Sequence, residues 1–310
     1  MDGILQQLPQ QLVNGITIGG VYALIAIGYS MVYGVLFMLN FAHGEVYMIG
    51  GFVGWWVLNI LTKGAAPFGS AVIIIILMIF CAMIFCGVLG VAVERLAYRP
   101  LRKAPRMNLL LCALGMSILL QNLVLKTQGA ETRYFKTAGL IPGGWQTFEI
   151  GGVVFSFMRI LVIVVSIGLM IALTWYIKRT KMGKAMRATA EDAEAATFMG
   201  IDTNRVVMVT FLIGSSLGGA AGALVGLLFS QVDFYVGYAA GLKGFTAAVL
   251  GGIGNIPGAM LGGFILGIAE ALSTTFISST YKDVIAFIIL IVILIFRPNG
   301  LLGRREPEKV

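Results

Sequence analysis

The only histidine in the chain, His43, stands two residues before Glu45 in the run Asn40-Phe41-Ala42-His43-Gly44-Glu45, at the start of a long apolar stretch. An imidazole beside a carboxylate is a pairing that proton transfer uses. Ionisable groups inside a membrane are costly to hold and mark ion or substrate pathways. A plainer reading stands beside that one. At a helix start on the cytoplasmic interface, the two side chains pair with each other or satisfy free backbone amides. Asn40, His43 and Glu45 are thus path candidates with capping as the alternative. Glu270, between Ala269 and Ala271, is the other carboxylate within an apolar run, placed to reach water or a partner helix, while Asn14, Gln121 and Asn122 fit interhelical hydrogen bonds. Enzymatic patterns are missing. The sequence holds no HExxH, no GxSxG and no cysteine cluster at ligand spacing, and a triad would have to converge on His43. Cys81, Cys86 and Cys112 all lie in apolar runs, where a thiol acts as a small hydrophobe, so neither a disulfide nor a metal site is expected.

The elements that must position these residues follow from composition. Of 310 residues 58% are hydrophobic and only 12% charged, and the mean hydropathy is +0.93, which excludes a soluble domain with a polar surface. Lipid demands helices of about 20 apolar residues, because each backbone N–H and C=O must be satisfied within the segment. Apolar runs cover approximately 12–36, 38–62, 70–93, 108–126, 158–177, 206–230, 242–275 and 284–296. Basic residues gather between them: Arg95, Arg99, Arg102, Lys103 and Arg106; then Lys178, Arg179, Lys181, Lys184, Arg187 and Arg205; then Arg297, Arg304, Arg305 and Lys309 in the tail. The positive-inside rule puts these three segments, and so the C-terminus, in the cytoplasm, and it accounts for the net charge of +8 without invoking nucleic acid. The run 242–275 then has to divide, and its middle, GGIGNIPGAMLGG, carries Asn255 and Pro257 among glycines. Such interrupted helices line transport paths, which adds Asn255 and Pro257 to the path candidates. The expected fold is an all-α, polytopic bundle of eight to ten membrane helices forming one transmembrane domain over 1–310, with its N-terminus outside and an uncleaved first helix. The loop at about 127–157 is long on the outer face and is a candidate docking surface.

Glycines predict how the bundle packs. Gly214, Gly218, Gly222 and Gly226 recur at every fourth position, as do Gly254, Gly258 and Gly262, followed by Gly263 and Gly267; Gly15 and Gly19 form a shorter pair. Without a Cβ, helix backbones approach closely, and dispersion replaces the hydrophobic drive that lipid does not supply.

The cytoplasmic segment 183–204, GKAMRATAEDAEAATFMGIDTN, is alanine-rich with an acidic cluster at Glu191, Asp192 and Glu194. It fits a short helix along the membrane face that a partner grips, or a solvated connector. Glu194-Ala195-Ala196, three residues, then Gly200 resembles the EAA-xxx-G signature of ABC importer permeases, whose short cytoplasmic helix fits a groove of the ATPase; where that signature continues with isoleucine, this chain has Thr210. NFAHGEVYMIGGF from Asn40, GLKGFTAAVLGGIGNIPGAMLGGFILGIAE from Gly241 and RPNGLLG from Arg297 resemble branched-chain amino acid permeases of the LivH type, in the same order and over nearly the whole chain. The resemblance implies a type II importer fold in a bacterial inner membrane. It also implies a sister permease, two ATPase subunits and an external substrate-binding protein as partners. Glu191, Glu194, Ala195, Ala196 and Gly200 would then form the ATPase-docking site. The chain has no Walker motif, so no cofactor is expected on it and ATP falls to the partner subunits. The substrate class implied is branched-chain or other hydrophobic amino acids. A urea or amide permease of the same family, and a self-sufficient ion-coupled carrier or channel built on His43 and Glu45, are the alternatives.

Overall fold

A computed structural model describes residues 2–62, 68–102, 104–136, 147–150, 152–276 and 278–303. Lys103, Arg304, Arg305 and Lys309, and 137–146 of the long outer loop, lie outside the described residues. The helices are α1 (Asp2–Leu36), α2 (His43–Leu61), α3 (Phe68–Val93), α4 (Arg106–Gln128), α5 (Phe157–Arg179), α6 (Lys181–Glu191), α7 (Ala193–Phe198), α8 (Thr203–Phe229), α9 (Val236–Gly251), α10 (Ile256–Phe276) and α11 (Lys282–Phe296). A π turn, Glu94–Tyr98, and a last α turn, Arg99–Leu101, extend α3. Among the described residues seven helices are long and apolar enough to cross a membrane; α9 and α11, with 16 and 15 residues, are apolar but shorter. The run 242–275 divides as expected, with α9 ending at Gly251 and α10 starting at Ile256.

Burial sorts the helices into layers. α1, α2 and α8 form the centre, and α4 and α5 leave most of their apolar surface on the outside, where lipid replaces protein as solvent. The glycines make the central contacts. Gly263 meets the backbone of Ala23 and Gly267 that of Gly19, so α1 and α10 touch main chain to main chain. The zipper of α8 serves several neighbours in turn: Gly214 faces Gly28 of α1, Gly218 the ring of His43, Gly222 the backbone of Tyr47 and Gly51 in α2, and Gly226 the ring of Phe135. Gly258 and Gly262 close α10 onto the end of α9 at Gly251 and Ala247.

One end of the bundle gathers the described basic segments. Arg102 donates to Asn204 at 2.8 Å and pairs with Glu94, joining the end of α3 to the start of α8. At that end too, Gly34 faces Gly254, and residues 301 and 302 donate to Leu250 and Gly251 at 2.9 Å each. At the opposite end, β1 (Arg133–Tyr134) pairs antiparallel with β4 (Gln231–Val232), and β2 (Thr147–Ile150) with β3 (Val153–Ser156).

Candidate functional site

The acidic segment forms a capped corner. Thr180 accepts from the Gly183 amide at 3.0 Å to start α6. Asp192 accepts from the amides of Glu194 and Ala195 at 2.9 and 3.0 Å to start α7, and Asp202 accepts from Asn204 and Arg205 at 3.0 and 3.2 Å to start α8. The end of α7 is a Schellman turn: Ile201 donates to Ala196 at 3.0 Å, Gly200 donates to Thr197 at 2.9 Å, and Gly200 adopts φ +83°. Ala196 is buried, whereas Glu191, Glu194, Ala195 and Gly200 are exposed. Pattern reading missed the two residues that dominate the tip, Phe198 and Met199, each 83% exposed. Two such side chains in water at the apex of a rigid corner form an exposed apolar patch of the kind that marks a contact site. Burial pulls the neighbouring Arg102 guanidinium below its ordinary value, against the pull of Glu94, and it remains a cation.

The polar run at 40–45 does not cap a helix at the interface, as the plainer reading expected, but lies buried. His43 and Glu45 are each 1% exposed, and Ala42 starts α2 without a side-chain cap. Gly28, which the His43 ring abuts, lies about 12 Å of helical rise from Leu36, so α2 begins well inside the bundle. The reason is packing: Gly28 and Gly218 leave a slot that the imidazole fills, edge-on to Tyr29 with ring centroids 5.0 Å apart. His43 and Glu45 do not bond to each other. Glu45 Oε1 accepts from Ser117 at 3.2 Å, while Glu45 Oε2 and His43 Nε2 have no hydrogen-bond partner among the described residues. Asn40 is tied to the π turn instead, its Oδ1 accepting from the Tyr98 hydroxyl at 2.7 Å. Asn255 and Pro257 lie elsewhere, at the turn into α10, where Asn255 donates to the Leu302 carbonyl at 2.6 Å and accepts from the Gly258 amide at 3.3 Å. The five path candidates thus fall into two places.

A second polar cluster, buried at Tyr22, Lys243 and Glu270 and exposed at Asp283, joins α1, α9, α10 and α11. Lys243 Nζ lies 2.7 Å from Glu270 Oε1 and 2.7 Å from Asp283 Oδ1, and the Tyr22 hydroxyl donates to Glu270 Oε2 at 2.8 Å. Glu270 was legible as a carboxylate that reaches water or a partner helix; Lys243, in the same apolar run, was missed, and only the packing of the helices brings the two together. Among the described residues no group of three or more His, Cys, Asp or Glu is placed to hold a metal ion.

Comparison with known proteins decides the family. Residues 11–294 match the family model described as branched-chain amino acid transport system, permease component. The chain belongs to this permease family. It is 47% identical over 304 residues to the high-affinity branched-chain amino acid transport system permease protein BraD of Pseudomonas aeruginosa, and 46% identical over 303 residues to LivH of Escherichia coli K12, with 97% of each chain covered in both cases. The probable LivH of Methanocaldococcus jannaschii is 26% identical over 97% of this chain and 95% of its own. No solved structure matches. As a family member with seven long apolar helices among its described residues, the chain is a multi-pass membrane transport permease and not an enzyme.

Proposed function

We propose that this chain is one of two permease subunits of an ATP-driven importer, passing branched-chain or related hydrophobic amino acids, handed over by an external binding protein, across a bacterial inner membrane. The observation that carries this reading is the corner at 192–202, whose three Asp and Gly caps hold Phe198 and Met199 out of the bundle on the end that gathers the described basic segments. On this reading that end, with the C-terminus, is cytoplasmic, and the corner fills a groove of an ATPase subunit. Glu191 and Glu194 flank the contact, the small Ala195 keeps the outer face of α7 slim enough to enter the groove while Ala196 packs it onto its own chain, and Gly200 turns the chain back into α8. Since α8 packs against α1, α2 and α3, a push at the corner is delivered to the centre of the bundle, where it biases outward-open against inward-open packing. ATP is bound and hydrolysed on the partners.

The test is purification of the tagged chain from its native membrane in mild detergent, followed by reconstitution with the partners found. A second permease and two cassette ATPases, supporting ATP-dependent leucine uptake with the binding protein present, are the expected result. Arrival alone, or leucine flux through the chain without ATP, would overturn the proposal in favour of a carrier or channel.

A further inference from the structure

A cavity of about 500 Å³ opens beside the Lys243 and Glu270 pair, within the range of about 300–1,000 Å³ found for small-molecule sites. Its residues place its mouth. Gln11 and Asn14 lie in the N-terminal half of α1, Phe229 ends α8, Val236 begins α9 and Lys282 begins α11. All of these lie at the end of the bundle opposite the 192–202 corner, because α8 runs from that corner at Thr203 to Phe229. One part of the wall is aliphatic, from Ile18, Val21, Val225 and Leu228, and another is polar, with Arg159, Lys243, Glu270 and Lys282 as its charged groups.

Those polar groups have spare capacity. An ammonium has three donors and Lys243 directs it at two carboxylates, Glu270 and Asp283, so one donor remains. A carboxylate has about four acceptor positions; Glu270 uses them for Lys243 and Tyr22, which leaves room for a second cation. Locking helices together does not require such a pair, since apolar residues of similar volume hold a core as well as a buried ion pair does. Lys243 and Glu270 set a positive and a negative group side by side next to the aliphatic part of the wall, with Arg159 and Lys282 as further cations in the lining, an arrangement that complements a small molecule carrying both charges and an apolar tail.

We propose that this cavity binds the substrate within the permease: a zwitterionic amino acid with its α-carboxylate on Lys243, its α-ammonium on Glu270 and its aliphatic side chain against Ile18, Val21, Val225 and Leu228. The inference rests on the importer reading and adds that the permease itself, beyond the external binding protein, selects among amino acids.

The test uses the complete importer in proteoliposomes at a fixed, saturating amount of one binding protein. Leu228→Ala opens space at the aliphatic wall, and the ratio of phenylalanine to leucine uptake is expected to rise about 10-fold, the low end of the range that a single methylene in an apolar pocket gives. Lys243→Met combined with Glu270→Gln removes both charges while keeping an acceptor for Tyr22; leucine uptake is expected to fall at least about 10-fold through a raised KM, with the melting temperature of the complex maintained. A purely structural pair predicts the reverse, unchanged KM and unchanged ratio, and that result overturns the proposal. If the double variant fails to assemble, the uptake ratio of Leu228→Ala decides alone. Absence of leucine uptake by the wild-type complex would overturn the importer reading itself, and this inference with it.

Discussion

Gly200→Ala isolates the backbone of the docking corner from its side chains. A Cβ at this position meets nothing within 4 Å, so the substitution adds no clash. What it changes is conformational preference, because Gly200 holds φ +83°. An L-residue in the left-handed region costs about 1–2 kcal/mol. The corner relieves that cost by returning residue 200 to negative φ, which breaks the Gly200 and Ile201 amide bonds to Thr197 and Ala196 and re-aims Phe198 and Met199. Docking must then restore the strained turn, so the loss appears as weaker ATPase binding: 1–2 kcal/mol is a factor of about 5–30 in an equilibrium constant. The assay is titration of the detergent-solubilised permease pair with its purified ATPase, read as bound ATPase and as permease-stimulated ATP hydrolysis. Gly200→Asn is the matched control, since asparagine tolerates the left-handed region and recovers most of the affinity. Wild-type affinity for Gly200→Ala, or equal losses for the alanine and asparagine variants, would refute the argument that the left-handed turn sets the docking geometry.

Three further outcomes are expected. Phe198→Ser with Met199→Ser removes the exposed apex and is expected to weaken ATPase docking at least about 10-fold, with the thermal midpoint of the isolated permease unmoved because neither side chain is buried. Gly222→Ala drives a Cβ into the Tyr47 carbonyl and to 2.8 Å from the Gly51 amide, an overpacking worth about 1–3 kcal/mol, whereas Gly115→Ala, with nothing within 4 Å, is expected to leave the thermal midpoint in detergent unchanged or raised. Gly28→Ala places a methyl against His43 Nε2, so its destabilisation is expected to be at least halved in a His43→Ala background; equal costs in both backgrounds would show that the imidazole does not fill that slot.

Much of the fold was legible because lipid forces a simple code. Apolar length marked α1 to α5 and α8, and Asn255 and Pro257 marked the break between α9 and α10, where a missing amide and a side-chain cap end one helix and begin the next. The helical character of 183–204 was legible as well, since its alanines favour a helix; the caps at Asp192 and Asp202 and the turn at Gly200 came from the structure. The apex was not: nothing in a linear pattern distinguishes Phe198 and Met199 facing water from the same residues in a core.

The polar interior resisted reading for a different reason. A carboxylate in an apolar run announces that it has a partner but not which one, and the partner is chosen by packing. Lys243 reaches Glu270 across 27 residues only because Gly258 and Gly262 let α10 fold back closely along α9. His43 and Glu45, adjacent in sequence, are parted by the slot that Gly28 and Gly218 open for the ring, so adjacency suggested a pair where close packing made none. The glycine that looks featureless in the sequence therefore decides where each charged group goes. In this bundle the small residues set the positions of the polar ones, and a change at Gly28 or Gly262 is expected to act on transport through His43 or through Lys243, at a distance from any substrate.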